Sequence, residues 1–284
     1  MVGSEICDAL RDQGEDLIAV GHSELDISNE KDVVDLLAMV RPDVVINCAA
    51  YTNVDGCEDE TDLAMTINGW AVGTLAEETS RWNGLLLHLS TDFVFDGKKR
   101  EPYEVDDATA PLSVYGHSKL QGERNAMRGK SHLILRTSWL FGNRGRNFVE
   151  AILGQIESGR DELSVVDDQR GRPTYVPHLV EAILALLNQA HQDPSVRGVF
   201  HYADAPDCTW YEFAETIVSE LEARGELPHE IDLLPVTTGS FPRPAKRPAW
   251  SVLSTRRWEA VTGCAPQSWR VGLGNYLDRR QGLS

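Results

Sequence analysis

Short apolar runs alternate with amphipathic helical segments through the first half of this chain, and that alternation restricts the fold to a parallel sheet covered by crossover helices. Leu17-Ile18-Ala19-Val20 reads as a strand, and Asn29 to Val40 as a helix with Val33, Val34, Leu36, Leu37 and Val40 turned inward. Asp43 to Asn47 is the next strand, Leu63 to Trp82 one long helix, and Leu85 to Leu89 a central strand buried on both faces. A helix from Ser118 to Met127 precedes the strand Leu133 to Arg136. The fold class is a Rossmann-like, doubly wound α/β sheet. Ligands of such sheets bind beyond the carboxyl ends of the strands. Asn47 to Asn53, Ser90 to Asp96 and Thr137 to Phe141 all follow strands at that edge, so three polar clusters converge on one crevice. Each alone reads equally well as a turn or a cap.

The second half is looser. Phe148 to Ile156 and Pro177 to Leu187 read as helices separated by Leu163 to Val166, Val199 to Tyr202 as a last strand, and Trp210 to Leu221 as a helix. From Leu233 onward proline is frequent, as in Phe241-Pro242-Arg243-Pro244 and Arg247-Pro248, which suits an irregular substrate lobe. The expected division is a dinucleotide-binding domain at 1–140 and a mainly substrate-binding lobe at 141–284, with segments near 175–215 returning to the sheet. A dinucleotide fold opens with a strand and a glycine-rich turn. Here Met1-Val2-Gly3-Ser4-Glu5-Ile6 stands where the first helix begins, and Gly3 matches only the last glycine of that turn. The first strand is therefore expected to be missing, and a start at an internal methionine is favoured over a true truncation, which would expose unpaired inner edges.

Composition excludes several classes. The 284 residues are 42% hydrophobic and can bury a substantial core. No signal peptide opens the chain, and no apolar run approaches the ~20 residues that span a bilayer, so cytoplasmic residence without membrane contact is expected. Five dispersed cysteines without a CxxC pair fit reduced thiols rather than a disulfide or zinc framework. A net charge of −17 repels nucleic acid, and with few lysines it suits a salt-rich cytoplasm. Any anionic ligand then needs a pocket with its own positive groups.

Chemistry concentrates in Val114-Tyr115-Gly116-His117-Ser118-Lys119 and in Leu89-Ser90-Thr91-Asp92. On a helix Tyr115 and Lys119 share a face. A lysine ammonium lowers a tyrosine pKa from its usual ~10. Such a phenol protonates a ketone oxygen as hydride reaches the carbon, with Ser90 or Thr91 holding that oxygen. The spacing alone also describes an ordinary exposed helical pair.

Leu89 to Gly97 and Tyr115 to Glu123 together resemble the extended short-chain dehydrogenase/reductases, and within them the dTDP-4-dehydrorhamnose reductase family. The similarity continues through Arg41 to Asp55, Arg136-Thr137-Ser138-Trp139, Val166-Asp167-Asp168-Gln169, and Arg247-Pro248 with Ser251. It implies reduction of the 4-keto group of a nucleotide-activated deoxysugar by NADPH, with NADH as the alternative. The implied catalytic residues are Tyr115 as acid, Lys119 as its partner and ribose grip, and Thr91 as ketone orienter. The implied cofactor-binding residues are Met1, Val2 and Gly3 at the phosphate turn, Asp26 and Ile27 at the adenine side, and Asn47, Ala49, Ala50, Tyr51 and Leu89. Thr91, Asp92, Trp139, Thr52, Val54 and Arg247 are implied for the nucleotide-sugar substrate.

Some positions depart from the family. Phe93 stands where it has tyrosine, and Arg172 where a small residue is common, so Arg172 is either a surface arginine or a contact to the substrate pyrophosphate. No acidic residue immediately follows the expected second strand in Val20-Gly21-His22-Ser23, which favours NADPH. Glu5 matches one position of a magnesium site at a dimer contact, but an exposed helical glutamate is the favoured reading. A homodimer is possible. The alternatives are a non-catalytic regulatory subunit of the same fold, resembling the beta subunit of methionine adenosyltransferase, and an epimerase or dehydratase of a related nucleotide sugar.

Overall fold

In the computed structural model, which describes residues 1–282, the chain enters directly into helix α1 (Val2–Asp12). The strand expected at Leu17 to Val20 is not formed: the segment is irregular, and Ile18 and Val20 are exposed. A strand is held by hydrogen bonds to a neighbour, and among the described residues no strand lies beside this one. Helix α2 (Glu30–Val40) is capped by Asn29, whose side chain accepts from the Asp32 N–H. It buries Val33 and Leu37 and leaves Val34, Leu36 and Val40 half-exposed.

After β1 (Val44–Asn47) come two short helices, α3 (Gly56–Asp59) and α4 (Thr61–Met65). The long helix expected from Leu63 to Trp82 is interrupted, because a π-helical turn at Thr66–Trp70 joins α4 to α5 (Ala71–Arg81). Such wide turns collect at functional sites. Here the turn carries Asn68, whose buried amide accepts from the Tyr51 N–H (2.8 Å) and donates to Tyr51 O (3.0 Å) and Ser118 Oγ (3.0 Å). Strand β2 (Leu85–Thr91) follows, with all seven residues buried. Next come α6 (Val114–Ala126), β3 (His132–Thr137), β4 (Leu140–Phe141), α7 (Phe148–Glu157), β5 (Glu162–Val166), β6 (Arg170–Gly171), β7 (Thr174–Tyr175) and α8 (Val176–Gln192). The chain ends with β8 (Gly198–His201), β9 (Cys208–Thr209), α9 (Trp210–Ala223), β10 (Asp232–Val236), α10 (Arg256–Thr262) and α11 (Trp269–Gly282).

The main sheet is parallel in the order β1-β2-β3-β8, with Leu87 between Ile46 and Leu133 in register. Alternation along β2 sends Leu85, Leu87 and Leu89 toward α1 and α8, and Leu86 toward α2, α5 and α6. Helices therefore cover both faces. A separate core joins Phe141 to α7, β5, α9 and α11 through Val149, Leu163, Phe213 and Trp269. Two helices, α10 and α11, stand in the tail expected to be irregular. In α11 Gly272 hides the pattern yet lets the helix approach Tyr175, whose Cβ lies 2.5 Å from where a Cβ at 272 would be. No helix among the described residues is long and apolar enough to cross a membrane.

Candidate active site

Helix α6 begins four residues before its expected start. Ser113 caps it by accepting from the Gly116 N–H (3.2 Å), which places Tyr115 in the first turn and Lys119 one turn later. Close approach to β2 depends on glycine. A Cβ at Gly116 would lie 2.3 Å from Phe93 O, and one at Gly122 2.2 Å from Asn68 O. The helix thus rests on the 3-10 turn after β2 at one end and on the π turn at the other.

Lys119 is 3% exposed, and its Nζ donates to Leu89 O at 2.6 Å. Burial lowers its pKa to about 8, opposed first by the Glu123 carboxylate and then by Cys48. Cys48 is itself pushed up to about 12 by burial. The Tyr115 phenol lies against the Thr91 hydroxyl and the Asp92 carboxyl; desolvation and then the Asp92 charge push its pKa above the usual tyrosine range. The lowering expected from Lys119 is absent from this geometry, because the ammonium is turned to the Leu89 carbonyl. Asp92 is buried, accepts from Thr91 Oγ1 at 3.0 Å, and leaves Oδ2 without a hydrogen-bond partner. Burial raises its pKa to about 6 against the Ser251 and Thr91 hydroxyls. Phe93 sets its ring edge-on to Tyr115, with centroids 5.6 Å apart, and its N–H donates to Thr91 Oγ1.

The loop after β1 approaches the same place. Asn47 accepts from the Ala49 N–H (3.1 Å) and bonds His88 Nδ1 (3.1 Å). Ala49 is exposed, Ala50 and Tyr51 are half-buried, and Asn68 fixes the Tyr51 backbone. Farther along, Thr52 is exposed and Val54 half-buried. Gly3 in α1 packs on Cys48, so Met1, Val2 and Gly3 stand near this loop, although the Val2 side chain belongs to the core. Asp26 and Ile27 follow the irregular Leu17–Val20 segment, and Ile27 packs against the core cluster that holds Leu86. Asp26 is exposed and occupied by Ser28, whose N–H and hydroxyl both donate to it.

On the substrate side, Trp139 adopts a left-handed φ of 47° and stacks on Trp210 with ring centroids 3.5 Å apart. Arg247 is engaged by Asp55 through two hydrogen bonds of 3.1 and 2.9 Å, with Arg243 at 3.7 Å from the same carboxylate. Arg172 has unpartnered Nε and Nη1 atoms, and the charges acting on it are the carboxylates of Asp207, Glu259 and Asp204. Glu5 is paired with Arg279 at 2.9 Å, and no cluster of metal-ligating side chains occurs among the described residues.

Sequence reading missed Asn68, Trp210, and the pairing of Glu123 with Arg136 and of Asp55 with Arg247. Glu123 carried a local signal, since it follows Lys119 by one helical turn. Its partner is fixed only by strand register. The arrangement fits the reactive end of a nicotinamide nucleotide: a phenol meets a hydroxyl at a strand's carboxyl end, and one helical turn from the phenol a buried ammonium retains two further N–H donors.

Comparison with known proteins agrees. The family model "RmlD substrate binding domain" matches residues 1–281. The chain is 39% identical over 280 residues to the spore coat polysaccharide biosynthesis protein SpsK of Bacillus subtilis, covering 98% of this chain and 94% of that protein. It is 38% identical over 277 residues to a dTDP-4-dehydrorhamnose reductase of Aggregatibacter actinomycetemcomitans, covering 96% and 94%. The crystal structure of the Bacillus anthracis dTDP-4-dehydrorhamnose reductase in complex with NADP superposes with a TM-score of 0.90 at 33% identity, covering 98% of this chain and 95% of that one.

Proposed function

The chain belongs to the dTDP-4-dehydrorhamnose reductase family, and from that premise we propose that it reduces the 4-keto group of dTDP-4-dehydro-L-rhamnose to give dTDP-L-rhamnose. The observation that carries the reading is the contact of the Tyr115 phenol with the Thr91 hydroxyl, one helical turn from the buried Lys119. NADPH supplies the hydride when bound. With its pKa raised, Tyr115 holds its proton at neutral pH and delivers it as negative charge develops on the ketone oxygen. Thr91 holds that oxygen in line. The Lys119 ammonium grips the nicotinamide ribose with its free N–H donors.

Asn47, Ala49, Ala50, Tyr51 and Leu89 hold the nicotinamide half, Met1, Val2 and Gly3 meet the phosphates, and Asp26 and Ile27 receive the adenosine. The lack of an acidic residue in Val20-Gly21-His22-Ser23 makes NADPH the preferred cofactor over NADH. Asp92, Trp139, Thr52 and Val54 shape the sugar and nucleotide subsites. Arg247, with Arg243 beside it, meets the substrate diphosphate as a positive strap on an otherwise acidic protein. Magnesium has no part in this reading, since Arg279 occupies Glu5. Its place is the cytoplasm, where the five cysteines stay reduced.

The test is NADPH oxidation with dTDP-4-dehydro-L-rhamnose. Turnover by the chain, reduced roughly 10²- to 10⁴-fold in Tyr115→Phe, supports the reading. Equal rates in the two proteins, or no oxidation by the unmodified chain, overturn it.

A further inference from the structure

Beneath the reactive residues lies a buried ion pair that the chemistry above does not use. Glu123 follows Lys119 by one turn of α6, on the face turned to β2. Its carboxylate is fully buried and takes three hydrogen bonds: from Ser90 Oγ at 2.5 Å, Arg136 Nε at 2.8 Å and Arg136 Nη2 at 2.7 Å. Arg136, on β3, continues through Nη1 to Val105 O (3.3 Å) and to His201 Nε2 (3.2 Å) on β8. That contact makes His201 Nε2 an acceptor and leaves Nδ1 to donate to Tyr103 O (3.1 Å), so the ring is neutral; burial and the Arg136 charge lower its pKa to about 3. Helix α6, strands β2, β3 and β8, and the loop bearing Tyr103 are thereby tied at one point.

Desolvating two charges is expensive, and an apolar replacement of the same shape is often as stable. The feature hydrocarbon could not reproduce is a fixed negative charge one helical turn from Lys119. The groups facing that ammonium are few. Among the described residues these are Glu123 on α6, the Leu89 carbonyl and His88 on β2, and Cys48 from the loop after β1. His88 is held neutral by burial and Cys48 holds its proton, which leaves Glu123 as the anion opposing desolvation of the lysine. Ser90, bonded to Glu123, is also the residue before Thr91.

We propose that Glu123, clamped by Arg136 and Ser90, is a positioning residue of the reductase site: its carboxylate supplies the fixed charge that holds the Lys119 ammonium in a dry interior and fixes α6 over the end of β2, where Tyr115 and Thr91 meet. The consequence for turnover rests on the ketone-reduction reading; the charge effect does not.

The chain has six lysines, few enough to follow individually by NMR of isotope-labelled side chains, with Lys119→Met identifying the resonance. In the full chain the Lys119 titration midpoint is expected near pH 8, and in Glu123→Gln about one pH unit lower. Glu123→Asp, which keeps the charge, is expected to restore it. Because Glu123→Gln strands a buried guanidinium, Glu123→Gln/Arg136→Met serves if the single variant does not fold, and the midpoint must fall there too. In turnover, the alkaline limb of kcat against pH is expected to move down by the same amount, with the sugar KM within twofold. A folded variant with an unmoved lysine titration makes the pair merely structural and overturns the proposal. If the unmodified protein does not oxidise NADPH while the lysine midpoint still moves, the reductase reading fails and the charge effect stands.

Discussion

Gly122→Ala and Gly154→Ala make the same change inside two helices and are expected to have opposite effects. In the interior of α7, Gly154 faces open space, with nothing within 4 Å of the added methyl. The substitution therefore gains the helical propensity difference of about 1 kcal/mol. At Gly122 the methyl would sit 2.2 Å from the Asn68 carbonyl oxygen and 3.1 Å from His88 Nε2. A backbone oxygen in the π turn cannot rotate away as a side chain does, so α6 has to retreat by roughly 1 Å to restore van der Waals distance. Overpacking of that kind costs about 1–3 kcal/mol, which cancels the propensity gain and leaves a net loss of up to about 2 kcal/mol. At about 2–4 °C per kcal/mol for a large domain, Tm falls by up to about 8 °C, whereas Gly154→Ala raises it by a few degrees. Differential scanning calorimetry on both variants reads the difference. The same retreat carries Tyr115 and Lys119 off Thr91 and Leu89, and misplacement of about 1 Å costs up to about 10²-fold in kcat. A Gly122→Ala protein as stable as Gly154→Ala, with unaltered kcat, would refute the claim that α6 is seated on the π turn.

Three further outcomes follow from charges. Asp92 holds its proton more tightly folded, at about 6, than at the ordinary value of 3.8; its contribution therefore favours folding at acid pH and is lost as pH rises through about 6. Between pH 4 and 7 the unmodified protein should lose roughly 2 kcal/mol relative to Asp92→Asn, and parallel stability curves in urea titrations would contradict the buried geometry. Arg247→Gln should raise the sugar-nucleotide KM about tenfold or more and leave kcat within about threefold, while an unchanged KM would remove the strap from the diphosphate subsite. With a net charge of −17, the protein should gain several degrees of Tm between 0.05 and 1 M KCl as the screening length shrinks to about 3 Å. A flat response would show that self-repulsion is unimportant.

The backbone placement of the candidate site was legible because its signals are local. Tyr115 and Lys119 share a helical spacing, and Thr91 ends an apolar run that could only be a buried strand. The α/β alternation and the strands β1, β2, β3 and β8 were legible for the same reason. Tertiary contacts decided the rest. The apolar period through Leu63 to Trp82 is helical throughout, yet Asn68 is drawn inward to hold Tyr51 and Ser118, and the helix widens to a π turn around it. Leu17 to Val20 has strand composition, but a strand needs a paired neighbour. Arg247 reads in sequence as an anion-binding residue, and only the fold places Asp55 beside it. Lys119 was expected to act on the phenol and instead donates to Leu89 O, a partner set by how deeply α6 packs.

The deciding measurement is deuteride transfer. With NADPH deuterated at nicotinamide C4, in separate reactions on each face, and dTDP-4-dehydro-L-rhamnose, one of the two preparations should place deuterium on sugar C4 of dTDP-L-rhamnose. Tyr115→Phe should slow that transfer by roughly 10²- to 10⁴-fold. Oxidation of NADPH with no deuterium in the sugar, or equal labelling by Tyr115→Phe, would contradict ketone reduction at this site.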